Sequence, residues 1–279
     1  MIRYAIGFLA VFAVCLAVQT VALRLSGGKT LKSESNYFSS IARIQTETQG
    51  KPDVMLLGSS LTGRLGDRAR KVEGVANLGC DGGSAMVTLR AMDQGILPAA
   101  PVLVIEANTL AYELEHRGKE IGAAIQSDWF KVGMKTPNLG ATARPAAFAY
   151  SWLMARKLEG GTAAENEGLP SASKPRVLDP STSPVLEGEA LALVDEMAGI
   201  LGRLKQQGSK ILLIVLPGVP KDLPRKDIAV ALACKSGVFW WDLTEGLPEG
   251  AVGFSDGLHL DAASAQKVMN TLQAQLKSR

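Results

Sequence analysis

Five short runs of almost uninterrupted apolar residues recur along the chain, and segments of helical length separate most of them. Runs of this kind, bounded by turn residues and alternating with helices, are typical of parallel strands that are buried on both faces. The pattern therefore predicts an α/β protein with a parallel five-stranded sheet covered by helices on both sides. The predicted strands are residues 54–57, 74–78, 102–105, 211–216 and 238–242.

Helical periodicity fills the intervals next to these runs. The predicted helices are residues 61–71, 84–93, 187–207, 222–235 and 262–276. The interval between the third and fourth strands is much longer. It begins with helix-like pieces that carry the Trp129-Phe130 pair, and residues 158–184 are rich in Gly, Ser, Pro and charge, which favours a mobile surface loop. We expect residues 110–186 to be an insertion over the carboxyl end of the sheet, either covering a substrate or disordered.

The chain begins with an apolar run at residues 4–23 that only Gln19 interrupts. About 20 such residues span a bilayer as a helix. A cleaved signal peptide is the alternative, but its apolar region is usually shorter, about 7–15 residues. Val21-Ala22-Leu23 is also a poor cleavage site. The run therefore predicts a transmembrane anchor over residues 1–25.

The segment after the anchor is polar and contains Gly and Ser, with a short helical pattern around residues 37–44. It predicts a stalk at residues 26–52 and a folded domain at residues 53–279. The charges beside the anchor do not favour export of that domain. Arg3 precedes the apolar run, whereas basic residues are more numerous after it, and cytoplasmic flanks usually carry the excess of Lys and Arg.

Charge and cysteine content exclude several classes of protein. The formal net charge is only +3 and the basic residues are scattered, which does not match a nucleic-acid-binding surface. Cys15 lies in the apolar run; Cys80 and Cys234 predict two buried thiols, with a disulfide as the alternative in an oxidising compartment. No Cys/His cluster has metal-ligand spacing and no glycine pattern matches a phosphate loop or dinucleotide site, so we expect neither metal nor cofactor.

Ser60 stands at the junction of the first strand and the helix that follows it. The sequence Gly58-Ser59-Ser60 predicts a tight turn there, at the end of a parallel strand where open sheets place their ligands. The N–H groups of a helix N-terminus can also stabilise a developing negative charge. Taken alone, the turn is typical of capping serines.

Further features lie at the ends of later elements on the same predicted edge: the turn at Gly82, Asn108 after the third strand, and Asp256 three residues before His259. A serine nucleophile needs a base, usually histidine, and a nearby carboxylate fixes the tautomer of the imidazole. The backbone N–H groups of Ser60 and Gly82 and the Asn108 amide could bind an oxyanion. Each feature alone fits a turn, a cap or a surface histidine, but their order and placement together predict an acyl-transfer site.

These segments resemble a known family in their order along the chain. Gly58-Ser59-Ser60-Leu61, residues 77–82, Asn108 and Asp256-Gly257-Leu258-His259 are similar to the four sequence blocks of the SGNH (GDSL-type) hydrolases. The resemblance covers most of residues 53–279, with the insertion outside it, and implies a flavodoxin-like three-layer α/β/α sandwich. It implies catalytic roles for Ser60 as nucleophile, His259 as base and Asp256 as orienting carboxylate, and an oxyanion hole formed by Ser60, Gly82 and Asn108.

Three positions depart from the pattern of that family. Ser59 stands where the family usually has Asp, Glu106 where the third block usually has Gly, and Thr109 where Asp often follows the Asn. These departures bear on the support of the nucleophile turn and on the role of Asn108. Glu106 could itself point into the site.

Membrane-anchored members of this family that acylate or deacylate envelope polymers often carry the Ser-Ser variant, and the anchor makes the chain similar to those. The resemblance implies a serine esterase or O-acetyltransferase of the inner (cytoplasmic) membrane, with its domain on the exported, periplasmic side. Its expected substrate is an acetylated envelope or exported polysaccharide, with a membrane acyltransferase or polymer synthase as partner and no nucleic acid. The alternatives are a lipid esterase or thioesterase, and an inactive scaffold in a polymer-modifying complex.

Overall fold

The five apolar runs form parallel strands of one sheet in the computed structural model, which describes residues 2–27, 32–69, 71–158, 167–170, 173–218 and 225–277. The strands are β1 (Val54–Leu57), β2 (Val75–Asn77), β3 (Val102–Glu106), β4 (Arg176–Val177), β5 (Lys210–Val215) and β6 (Phe239–Asp242). Their order across the sheet is β2-β1-β3-β5-β6-β4. Among the described strands β4 alone is antiparallel to its neighbour.

Helices fill the connections between the strands and precede the first of them. The α-helices of the described ranges are α1 (Ile2–Leu25), α2 (Asn36–Glu47), α3 (Ser60–Arg68), α4 (Met86–Asp93), α5 (Lys119–Gln126), α6 (Asp128–Lys135), α7 (Pro145–Leu158), α8 (Gly188–Gln206), α9 (Lys226–Ser236) and α10 (Ala262–Lys277). Short 3₁₀ helices occur at Leu110–Glu115, Pro137–Leu139, Ala141–Ala143 and Pro180–Thr182.

The two faces of the sheet contribute to two separate apolar cores. Successive side chains of a strand point to opposite faces, so Met55 and Leu57 enter the larger core while Leu56 enters the smaller one. Helices α4, α8 and α9 cover the larger core, and α3 and α10 cover the smaller. The sequence-based prediction of a mixed α/β protein with a sheet covered on both sides is confirmed at this level.

The sheet has six strands, and the prediction of five was wrong in this respect. Strand β4 pairs antiparallel with β6 through Arg176 and Val177. Both residues are exposed, and two exposed residues carry neither the length nor the apolar pattern by which a strand is recognised. The pairing is fixed instead by partners distant in sequence, among them Glu245, which accepts two hydrogen bonds from Arg176 at 2.7 and 3.2 Å.

Part of the predicted stalk belongs to the core. Helix α2 lies within residues 26–52, yet Ile41, Ala42 and Ile44 are fully buried in the larger core. The stalk prediction failed for α2 because the polar residues of this segment form hydrogen bonds inside the fold. The Gln45 amide, for example, donates to the Phe130 carbonyl at 3.1 Å.

The inserted region forms helices that pack mainly on the larger-core side of the sheet. Helices α5 and α6 contact α2, and α5 also contacts α4. Phe130 is fully buried, whereas Trp129 and Trp152 are exposed. Of the predicted mobile loop, residues 159–166 and 171–172 lie outside the described residues, and its remaining part includes β4.

Helix α1 is long and apolar enough to cross a membrane. It covers the predicted apolar run and extends it to Ile2 and Leu25. Most of its residues are exposed, and Ala22 is the one that is buried among those described. Helix α1 therefore differs from the helices of the two cores, each of which buries an apolar face.

Candidate active site

The turn that carries Ser60 joins β1 to α3. Strand β1 ends at Leu57, and α3 begins at Ser60. The Ser59 hydroxyl accepts a hydrogen bond from the Leu61 N–H at 3.1 Å, as serine does at helix N-caps. Ser60 is therefore in the first turn, where backbone N–H groups have no partner inside the helix.

The Ser60 hydroxyl lies within hydrogen-bond reach of His259. Ser60 Oγ and His259 Nε2 are 3.0 Å apart, and His259 Nδ1 is 3.0 and 3.1 Å from the two carboxylate oxygens of Asp256. The three side chains form one continuous chain from carboxylate through imidazole to hydroxyl. The His259 side chain is 8% exposed and that of Asp256 is 41% exposed, so solvent reaches the carboxylate more readily than the base.

The loop between Ser255 and His259 holds the carboxylate and the imidazole together. The Ser255 N–H donates to the His259 carbonyl at 3.0 Å. Gly257 has a φ of +75°, a conformation that glycine adopts without steric cost. The Asp256 carboxylate accepts the His259 backbone N–H at 2.8 Å, so the same side chain fixes both the backbone and the ring.

Hydrogen bonding keeps Asp256 ionised. Burial raises the pKa of the Asp256 carboxyl, but the backbone and ring N–H groups of His259 and the Leu258 N–H outweigh it and hold the pKa well below its usual range. Arg64, one turn after Ser60 in α3, also forms an ion pair with Asp256. Helix α3, which carries Ser60, is thus tied directly to the carboxylate that contacts His259.

Glu106 supports the turn that carries Ser60 by accepting hydrogen bonds from the residues on either side of it. Its side chain is fully buried at the end of β3. It accepts hydrogen bonds from the Ser59 N–H at 2.9 Å and the Ser59 hydroxyl at 2.8 Å, and from the Thr62 N–H at 3.1 Å and the Thr62 hydroxyl at 2.6 Å. The Thr109 hydroxyl is a further donor at 2.9 Å. All three family departures, at 59, 106 and 109, therefore belong to one buried network.

The carboxylate leaves no room for a side chain at Gly58. A Cβ there would lie 2.2 Å from Thr62 Oγ1 and 2.4 Å from Glu106 Oε2. Gly79 is equally close to α3, because its Cβ would lie 2.2 Å from the Gly63 backbone nitrogen. Gly58 thus lets Glu106 of β3 approach the turn after β1, and Gly79 lets the loop after β2 approach the start of α3.

Helix α2 positions the loop that leads to Gly82. The Ser40 hydroxyl accepts the Asp81 N–H at 2.8 Å. Arg43 is buried and donates both to the Gly79 carbonyl and, at 3.1 Å, to the Asp81 carboxylate. The helix within the predicted stalk is therefore part of the site's support.

Gly82 is exposed and has a φ of +83°. A depression of about 420 Å³ lies beside it, and its lining includes Asn36, Tyr37, His116 and Lys119. The geometry brings Ser60, Asp256 and His259 together. Gly82 occupies the predicted loop after β2, and its role as an oxyanion donor stays a prediction.

Asn108 follows β3 and holds the end of β5. Its Oδ1 accepts the Leu216 N–H at 2.8 Å, and its Nδ2 donates to the Leu216 carbonyl at 2.9 Å. These two hydrogen bonds use only one of the two hydrogens on Asn108 Nδ2. The other hydrogen is the one that an oxyanion would need, so the capping interpretation of Asn108 and its predicted catalytic role are compatible.

The sequence did not single out Arg64 or Thr62. Arg64 lies four residues after Ser60, a spacing that places both on one side of a helix, but its partner Asp256 is 192 positions away. Thr62 lies among small residues after the turn, and nothing in the local sequence distinguishes it from them. The signal that could have found it is the unusual Glu106, because a buried carboxylate requires several donors.

The remaining chemistry-bearing residues do not extend the site. Cys80 and Cys234 are buried free thiols, as predicted. Burial raises the pKa of Cys80 to about 12, which suppresses the reactive thiolate. Among the described residues, no group of three or more His, Cys, Asp or Glu side chains could hold a metal ion.

Comparison of the chain with protein-family models, with curated proteins and with solved structures finds no match. The functional interpretation therefore depends on the geometry of the site and on the four sequence blocks.

Proposed function

We propose that the protein is a serine-dependent acyl-ester hydrolase or O-acyltransferase. The observation that carries the proposal is the hydrogen-bonded chain from Asp256 through His259 to Ser60, with 3.0 Å between the Ser60 oxygen and the His259 nitrogen. A histidine between a serine and a carboxylate is the arrangement that makes a hydroxyl nucleophilic at neutral pH.

In the proposed reaction, His259 Nε2 takes the proton of Ser60 Oγ while that oxygen bonds to the acyl carbon of an ester. The resulting imidazolium gives the proton to the leaving alcohol oxygen as the ester bond breaks, which leaves the acyl group on Ser60. Water, or a hydroxyl of an acceptor, then loses its proton to His259 and attacks the acyl-enzyme. Ser60 recovers its proton at the end, so hydrolysis and transfer differ only in the second acceptor.

The oxyanion of each tetrahedral intermediate needs hydrogen-bond donors. We assign this role to the Ser60 N–H at the start of α3, the Gly82 N–H and the second Nδ2 hydrogen of Asn108. The N-terminus of α3 adds the favourable end of its dipole. Asp256 stays ionised because its pKa is lowered, and it stabilises the imidazolium.

The strand order supports membership of the SGNH type. The parallel strands follow the order β2-β1-β3-β5-β6, which is the 2-1-3-4-5 order of flavodoxin-like doubly wound sheets when the parallel strands are counted alone. We therefore infer a flavodoxin-like three-layer core in which the site lies at the carboxyl edge of the sheet.

The substrate that we propose is an acetylated envelope or exported polysaccharide. Helix α1 would anchor the protein as a single pass in the inner (cytoplasmic) membrane, with the domain on the exported side. The depression beside Gly82 includes Asn36, Tyr37, His116 and Lys119 in its lining. Hydrogen-bonding side chains and one aromatic ring suit a sugar better than a long acyl chain. A multi-pass acyltransferase or a polymer synthase would act next to it.

An active-site phosphonate tests the proposed nucleophile. We expect the full chain in detergent to be labelled at Ser60, and Ser60→Ala to lose both labelling and hydrolysis of a chromogenic acetyl ester. Ser183→Ala is the matched control, because Ser183 is exposed, and it should behave as the unaltered protein. Labelling of Ser59 with Ser60 unmodified would reassign the nucleophile, and absence of both activities would favour an inactive scaffold.

A series of two-, four- and eight-carbon esters of one chromophore separates the two enzymatic alternatives. Each methylene that a pocket can bury contributes about 0.8 kcal/mol. A lipid esterase should therefore gain in catalytic efficiency from two- to eight-carbon acyl groups, whereas we expect the efficiency to fall.

A further inference from the structure

Helix α7 exposes a continuous apolar stripe. The exposed residues among its described side chains are all apolar, and they are Pro145, Ala146, Ala149, Trp152 and Leu153. This spacing places them on one side of a helix. Trp152 is 48% exposed and Leu153 is 59% exposed, and these are the two largest side chains of the stripe.

The opposite side of α7 packs against the rest of the domain. Ala147 and Ser151 are buried, and the Ser151 hydroxyl donates to the Lys32 carbonyl at 2.7 Å. Helix α7 carries Arg156 and Lys157 near its end, but from Pro145 to Ala155 it has no charged residue. A helix segment with so apolar a surface is typical of a core or of a membrane, and only one side of this segment lies in a core.

Helix α1 runs directly beside this region. It contacts α7 and the 3₁₀ helices Pro137–Leu139 and Ala141–Ala143, and Asn138 Nδ2 donates to Thr20 Oγ1 at 3.0 Å. The positions of α1 that the domain covers in part all lie at or after Leu16. Every described residue before Leu16 is exposed.

The uncovered part of the apolar run in α1 is too short to cross a bilayer by itself. The run begins after Arg3, so this part comprises twelve residues, from Tyr4 to Cys15, which at 1.5 Å per residue span about 18 Å. The hydrocarbon core is about 30 Å thick. The rest of the span falls on the partly covered residues of α1, so the neighbouring surface of the domain enters the membrane with them.

We propose that α7 is an interfacial membrane helix whose exposed stripe is buried in the bilayer that α1 spans. The proposal depends on the membrane anchoring included in the proposed function, and not on the chemistry at Ser60. The contact between α1 and α7 places α7 at the boundary of that bilayer, where apolar faces of interfacial helices are buried by about 5–10 Å. Trp152 fits this position because tryptophan is enriched where hydrocarbon meets headgroups. The occupant of the stripe is thus lipid, and the domain is held against the membrane at two places.

A lipid-borne quencher tests this position in the full chain. The protein would be reconstituted into phosphatidylcholine vesicles with and without brominated acyl chains, and an environment-sensitive fluorophore would be attached to Leu153→Cys in a Cys15→Ala background. The matched control is Leu191→Cys on α8, since Leu191 is a large apolar residue that is 43% exposed. The fluorophore on native Cys15 reports on α1 itself.

We expect strong quenching at Cys15 and at position 153, weak quenching at position 191, and protection of position 153 from a membrane-impermeant maleimide. Equal quenching and equal maleimide reactivity at 153 and 191 would overturn the proposal while leaving α1 in the membrane. Protection of 153 without quenching, with disulfide formation between two copies, would overturn it in favour of a protein contact. An unquenched fluorophore on Cys15 would overturn the membrane anchoring as well. That result does not depend on whether the phosphonate labels Ser60. Phosphonate labelling of each variant also verifies that the variant is folded.

Discussion

At the scale of single residues, the turn that carries Ser60 depends on a contact between positions 59 and 106. The SGNH family, which the sequence blocks resemble, usually has a carboxylate at the first position and glycine at the second, whereas Ser59 here donates to the buried carboxylate of Glu106 at 2.8 Å. The two departures from that pattern therefore meet in one hydrogen bond. The sequence alone shows both departures but not their contact, because β1 and β3 become neighbours only in the folded sheet.

The contact between Ser59 and Glu106 leads to a prediction about paired variants. Ser59→Asp alone places a second carboxylate within hydrogen-bond distance of Glu106, so we expect loss of turnover and a lower thermal midpoint. Ser59→Asp combined with Glu106→Gly restores the usual family arrangement and should recover part of both quantities. Turnover of an acetyl ester and thermal unfolding of the full chain in detergent measure the effect. A double variant that is no better than Ser59→Asp would show that the two positions do not compensate each other.

The ionisation of Asp256 gives a second prediction at this scale. Because its pKa is lowered, Asp256 contributes stability above its ordinary pKa, and this contribution is lost as the pH falls through the lowered value. It therefore remains charged throughout the pH range of catalysis. Asp256→Asn should lower turnover by roughly 10⁴-fold. It should also move the acid limb of the kcat/KM profile to lower pH, because the imidazolium loses its anionic partner. An unchanged profile with near-full turnover would remove Asp256 from the mechanism.

At the scale of elements, the apolar runs predicted the parallel strands to within about one residue at each end, because a strand buried on both faces needs an unbroken apolar sequence. Strand β4 escaped prediction because it is defined by its partner β6 rather than by its own two residues. The helical pattern of α2 was predicted, but its place in the core was not. Its buried polar residues hold the loop after β2, and polar residues in a sequence suggest a solvated segment.

The close approach of that loop to α3 can be tested with two glycines. Gly79→Ala forces a Cβ to 2.2 Å from a backbone nitrogen, so we expect a loss of about 1–3 kcal/mol in unfolding free energy and a loss of activity. Gly122→Ala is the control: within α5 its Cβ meets nothing within 4 Å, and it should stabilise by up to about 1 kcal/mol. Each kcal/mol corresponds to about 2–4 °C in the thermal midpoint. Equal midpoints for the two variants would contradict the tight packing at Gly79.

At the scale of the whole molecule, the proposed substrate and the charges beside α1 point to opposite sides of the membrane that α1 is proposed to span. The basic residues beside α1 favour the cytoplasm slightly, whereas an envelope substrate requires the exported side. We expect a C-terminal fluorescent reporter that matures only in the cytoplasm to stay dark. Arg24→Gln, which removes a positive charge after α1, should leave it dark, whereas Arg3→Gln should raise the signal. Strong fluorescence of the unaltered fusion would place the domain in the cytoplasm.

The separation of Ser60 and His259 along the chain has a consequence for biosynthesis under the proposed function. The two residues are 199 positions apart, and chains emerge from the ribosome progressively from one end. A nascent chain that has emerged as far as β6 carries the serine without the histidine. The proposed nucleophile would therefore stay an ordinary alcohol during synthesis, and acyl esters that it meets would be left intact until the loop with His259 arrives.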